Sequence, residues 1–143
     1  MKDIAVTTEI KASPGKIWEI LTEFDNYENW NPFIESIRGD FVQGKTVDIK
    51  VINPQGNKLP MKARIIRVSE NREIRWRSKI IAPWLFSIEQ FFILREEAAD
   101  LTKFTHGMKF RGLLLSFFKD SIYRIKPVIE EMNSELKKKC ENK

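Results

Sequence analysis

At Leu113 the spacing of apolar residues changes. Before it they recur at every second residue; after it they recur at every third or fourth. A period of two puts alternate side chains on one face of a strand, and a period near 3.6 puts them on one face of a helix. A chain with this order builds a sheet that is apolar on one face and then supplies the helix that covers it.

The strands are read from their parity. Ile4, Val6, Thr8 and Ile10 share a face of the first. Ile34 to Arg38 form a short second strand, and Val47, Ile49 and Val51 mark the third. Met61, Ala63 and Ile65 mark the fourth, and Ile74, Trp76, Ser78 and Ile80 the fifth. Phe86, Ile88, Gln90, Phe92 and Leu94 line the sixth; Thr102, Phe104, His106, Met108 and Phe110 line the seventh. Between the first two strands lies SPGKIWEILTEF, in which Ser13 is a natural N-cap and Pro14 suits the first helical position. Ile17, Ile20, Leu21 and Phe24 form its apolar stripe. The closing helix is expected from Leu113 to about Cys140. Its stripe is Leu114, Phe117, Ser121, Ile125, Val128, Met132 and Leu136, with a bend at Pro127. The fold class is α+β: one curved antiparallel sheet of six or seven strands around a long C-terminal helix, with two short helices after strand 1.

A length of 143 residues fits one domain spanning 1–143. No apolar run approaches the roughly 18 residues of a membrane-spanning helix, and MKDIAVTTEIKA alternates and contains acids, unlike a signal peptide. With a single cysteine, Cys140, no internal disulfide forms, and the cytoplasm is the expected location. The net charge of +5 allows weak contact with an anionic membrane but names no nucleic acid. No feature sets an oligomeric state.

The stretch FDNYENWNPF places Phe24, Tyr27, Trp30 and Phe33 at every third position. Together SPGKIWEILTEFDNYENWNPF and FTHGMKFRGLL, with the strand order, resemble the START-like (SRPBCC) superfamily, the helix-grip fold of Bet v 1-like proteins, in a bacterial branch described as polyketide cyclase- or dehydrase-like. The resemblance implies that residues 24–33 close one end of the grip. Their rings are then core plugs, with Trp30, Pro32 and Phe33 also open to reading as the entrance of a cavity. It further implies a Glu-His pair on the sixth strand, where this chain has Glu89 and Gln90. That departure weakens any scheme built on two histidines.

Strand parity directs Gln90 and His106 inward among apolar neighbours. A turn centred on Ala98 sets Gln90 opposite His106, Phe92 opposite Phe104 and Ile88 opposite Met108, and a turn centred on Pro83 sets Trp76 beside Gln90. His106 and Gln90 then either satisfy one another or recognise a polar group on an apolar ligand. The candidate ligand-binding residues are Trp30, Phe33, Trp76, Gln90, Phe92, Phe104, His106, Met108 and Phe117. A lone His106 could serve as acid or base. One histidine and one cysteine do not make a usual zinc site, and no glycine-rich phosphate loop is present. Neither a metal nor a cofactor is expected.

Lys50, Lys62, Arg64, Arg75, Arg77, Lys79, Arg95, Lys103 and Lys109 fall on the outward parity. They read as a solvated sheet face or as a basic surface for a partner. The leading expectation is a protein that binds, carries or senses a small hydrophobic molecule, lipid- or polyketide-like, between sheet and helix. The alternatives are an enzyme of the same fold using His106, and a basic-surface interaction module.

Overall fold

The structure, a computed structural model, describes residues 2–79 and 85–142. The elements run β1 (Lys2–Ile10), α1 (Pro14–Thr22), a 3₁₀ helix (Phe24–Asn29), β2 (Ile34–Arg38), β3 (Thr46–Ile52), β4 (Lys58–Ser69), β5 (Glu73–Lys79), β6 (Ser87–Ala98) and β7 (Leu101–Arg111). A second 3₁₀ helix (Leu113–Phe118), α2 (Lys119–Tyr123) and α3 (Ile125–Glu141) complete the chain. Seven strands form one antiparallel sheet in the order β1-β7-β6-β5-β4-β3-β2. The sheet and α3 make the expected START-like helix grip. Ile80 and Pro83, used in the sequence reading, lie outside the described residues.

The parities hold. Ile4, Ile10, Val47, Ile49, Ala63, Ile65, Ile74, Trp76, Phe92, Phe104 and Phe110 are all buried on the face that meets α1 and α3. In α1 the Ser13 hydroxyl accepts from the Lys16 N–H at 3.2 Å, Pro14 fills the first turn, and Ile17 and Leu21 are buried. The 3₁₀ helix explains the spacing of the rings. At three residues per turn, positions three apart lie one above another, and Phe24, Tyr27 and Trp30 stack edge to face with centroids 5.3 Å apart at each step. The Tyr27 hydroxyl donates to the Leu21 carbonyl and ties this turn to the end of α1.

The C-terminal expectation needs correction. The segment from Leu113 is not one helix: a 3₁₀ helix, the short α2 and a break at Arg124 precede α3. Phe117 and Ser121, placed on the inward stripe, face outward instead, and Phe117 is 80% exposed. The reason is phase. LLLSFF is apolar nearly throughout and cannot specify a face, and a three-residue turn rotates it away from the 3.6 stripe. Pro127 does not bend a continuous helix. It occupies the first turn of α3, where its missing N–H has no intrahelical partner to lose. Within α3 the buried face is Ile129, Met132, Asn133, Leu136 and Cys140.

The C-terminal end of α3 clasps the end of β1. The Lys137 ammonium donates to the Glu9 carbonyl at 2.7 Å, and Glu141 accepts from the Lys11 N–H at 2.8 Å and from Lys137 at 2.7 Å.

Candidate functional site

Inward parity brings together most of the residues singled out from the sequence. β5 supplies Trp76, β6 supplies Gln90 and Phe92, and β7 supplies Phe104, His106 and Met108; all are buried. Trp76 pairs directly with Gln90, as expected. Between β6 and β7 the expected register is two residues out. Gln90 stands opposite Met108, Phe92 opposite His106, Leu94 opposite Phe104 and Ile88 opposite Phe110. The two-residue turn Ala99–Asp100, with Asp100 at φ 56, pairs Ala98 with Leu101, and a ladder irregularity between Glu96 and Ala98 then sets the remaining pairs two residues from the expected register. Asp tolerates this left-handed conformation. A shift of two keeps every side chain on its face. Gln90 and His106 therefore still meet, diagonally, with their Nε2 atoms 2.7 Å apart.

The protons in this contact are set by a residue the sequence reading missed. Asn133 of α3 donates from Nδ2 to the Val6 carbonyl at 3.1 Å and to the Thr8 hydroxyl at 3.2 Å. A carbonyl only accepts, so the amide is fixed with its oxygen toward His106, where Oδ1 lies 3.2 Å from Nδ1. His106 thus carries its proton on Nδ1 and offers the Nε2 lone pair to the Gln90 amide. A polar row, Gln90–His106–Asn133–Val6/Thr8, crosses from β6 through β7 to α3 and β1. Burial drives the His106 pKa down to about 3, against which the Asn133 bond acts upward. The imidazole is neutral. The signal for Asn133 was present: it lies four residues after Ile129 and three before Leu136, inside a stripe about 100° wide.

Rings wall this row. Phe92 lies 4.5 Å from the His106 ring, Phe33 stacks on it at 6.0 Å, and Phe104 lies 6.4 Å away. Trp76 meets Phe92 edge to face at 5.3 Å. Trp30 sits beside Tyr27, half-buried, and its indole N–H has no hydrogen-bond partner among the described residues. The same holds for Nδ2 of the buried Asn31, whose Oδ1 accepts from the N–H groups of Phe33 and Ile34. Phe117 is not part of the assembly. It lies on the surface beside an apolar groove of about 460 Å³ formed by Leu113, Leu115, Ile122 and Tyr123, with Lys2 and Lys119 at its rim. A second concavity, about 650 Å³, lies by the start of α1 and the β4–β5 turn.

The matching family is described as polyketide cyclase / dehydrase and lipid transport, and it matches residues 1–141. The chain belongs to this family. Solved structures agree on the fold. A START superfamily protein from Mycobacterium smegmatis superposes with a TM-score of 0.73 at 20% identity, over 97% of each chain. A protein from Chromobacterium violaceum gives 0.74 at 11% identity, over 99% of this chain and 98% of its own. A protein from Thermus thermophilus gives 0.72 at 12%, over 97% of each. No curated protein matches the chain by sequence.

Within this polyketide cyclase-like frame the other chemistry is sparse. Cys140 is buried on α3 and its thiol pKa is pushed up to about 12, chiefly by burial, which leaves it a poor nucleophile. Among the described residues no group of three or more His, Cys, Asp and Glu could hold a metal ion. On the outer sheet face Glu89 accepts from Arg75 at 2.7 Å and from Arg77 at 2.8 Å. Burial raises its pKa, but the hydrogen bonds from Arg77 and Arg75 outweigh that and hold it below the usual carboxylate range. Glu73 pairs with Arg75 and Arg67, Asp48 with Lys62, and Glu97 with Lys103. Of the nine outward cations named from the sequence, Lys62, Arg75, Arg77 and Lys103 are answered within the sheet.

Proposed function

We propose that this chain binds a small, mostly apolar molecule of lipid- or polyketide-like character between the sheet and α3, and acts in the cytoplasm as a carrier or sensor. The observation that carries the reading is the Gln90–His106–Asn133 row. It is a line of polar groups with fixed proton positions, set into a wall of aromatic rings. Sites for apolar ligands have this composition, with a few placed polar groups fixing orientation. The unpartnered donors Trp30 Nε1 and Asn31 Nδ2 add support, since a buried donor left alone costs about 1–3 kcal/mol and a ligand oxygen would satisfy it. Trp30 and Phe33 then stand at the entrance, and Trp76, Phe92, Phe104 and Met108 form the wall.

Acid–base catalysis by His106 has less behind it. A ring nitrogen held neutral down to about pH 3 is a weak base near neutrality. Both of its nitrogens are already engaged, by an amide on each side.

Native mass spectrometry of freshly purified protein should show a co-purified apolar adduct. His106→Ala, which removes the acceptor that orients the Gln90 amide, should then weaken binding of a polar-headed fluorescent lipid by about two- to tenfold, the worth of one buried hydrogen bond. It should leave a plain hydrocarbon probe nearly unaffected. Equal losses for the two probes would reduce His106 to a space filler and remove the basis of the proposal.

A further inference from the structure

Between the end of β7 and the start of α3 the chain shows its apolar residues to solvent. Leu113 is 73% exposed, Phe117 80% and Tyr123 52%. Over the same stretch, residues 111–126, the charged residues are Arg111, Lys119, Asp120, Arg124 and Lys126: four cations to one anion. Among the described residues none of these cations is in an ion pair, in contrast to Lys62, Arg75, Arg77 and Lys103 on the sheet. Lys2 joins them from β1, its ammonium 4.7 Å above the Tyr123 ring. Lys2 and Lys119 also rim the apolar groove.

We infer that residues 113–123 are a docking face for an anionic lipid surface. Leu113, Phe117 and Tyr123 enter the interfacial layer, and Lys2, Lys119 and the neighbouring arginines meet lipid phosphates. Apolar side chains rimmed by cations suit that boundary, where each basic residue contributes about fivefold to partition onto an anionic leaflet. A second copy of the chain fits less well. A twofold contact sets a patch against itself, so cations would face cations. Three side chains also give only a few hundred Å², short of the roughly 1,000 Å² of a stable interface. This face is distinct from the His106 row, and the inference does not depend on a ligand there.

The test is co-sedimentation with extruded vesicles of phosphatidylcholine alone or with one-third phosphatidylglycerol. The protein should pellet with the anionic vesicles, much less with the neutral ones, and binding should fall as salt rises. Phe117→Ser should weaken it about tenfold, and Lys119→Glu with Arg124→Glu should abolish the preference for phosphatidylglycerol. Lys62→Glu, on the sheet face, should change little. All are surface positions, and circular dichroism would verify that each variant is folded. Failure to bind anionic vesicles, binding unchanged by Phe117→Ser, or a concentration-dependent dimer that Phe117→Ser dissolves would overturn the inference.

Discussion

His106 is the residue at which structure and titration meet. Its folded pKa lies near 3, while in the unfolded chain an imidazole titrates near 6.5. The unfolded form therefore takes up a proton below about pH 6.5 that the folded form refuses. Stability rises with pH through that window and is lost as the pH falls from 6.5 toward 3. At pH 5 this one group should cost about 2 kcal/mol relative to pH 7. Urea unfolding at the two pH values measures it, and His106→Asn should show a correspondingly smaller drop than wild type. An equal drop in both would mean that His106 is hydrated in the folded state. The inward position of Gln90 and His106 was legible, because parity survives a register error of two. Their diagonal contact was not, because it depends on where EEAAD turns and on the ladder irregularity between Glu96 and Ala98, neither of which parity specifies. Asn133 was hidden for another reason: asparagine is ordinarily a surface residue of helices, and only the breadth of the α3 stripe marks it as buried.

Among the elements, the strands, α1 and the 3₁₀ face of rings follow from spacing alone. The β7–α3 junction does not, since LLLSFF carries apolar side chains without a phase. What fixes that junction is backbone contact. Gly112 has φ 122, a Cβ there would lie 2.2 Å from the Leu85 carbonyl oxygen, and the Leu114 N–H donates to that same oxygen at 2.9 Å. Gly112→Ala should therefore destabilise by at least about 1–3 kcal/mol, through a forced backbone conformation and a clash that no side chain can relieve. Gly15 offers the contrast. It lies in the first turn of α1 with nothing within 4 Å of its Cβ position, so Gly15→Ala should stabilise by about 0.4–1 kcal/mol. Thermal melts of the two variants should shift in opposite directions. A neutral Gly112→Ala would mean that the junction moves freely.

For the whole molecule, the decisive feature is that β1 is held from the far end of the sequence. Its ladder partner is β7, from Lys2 against Phe110 to Ile10 against Thr102, and α3 binds its Val6, Thr8 and Glu9. On a ribosome adding about 5–20 residues per second, β1 leaves the tunnel well before its neighbours exist. Until residues 101–141 emerge, it is an unpaired strand with an apolar face, open to other chains or to a chaperone. A nascent chain stalled at Arg111 should accordingly be protease-sensitive throughout, whereas release of the full chain should give resistance in one step. The clasp of Lys137 and Glu141 on β1 then works as a latch on this fold: the strand made before its partners is secured by a helix made after them.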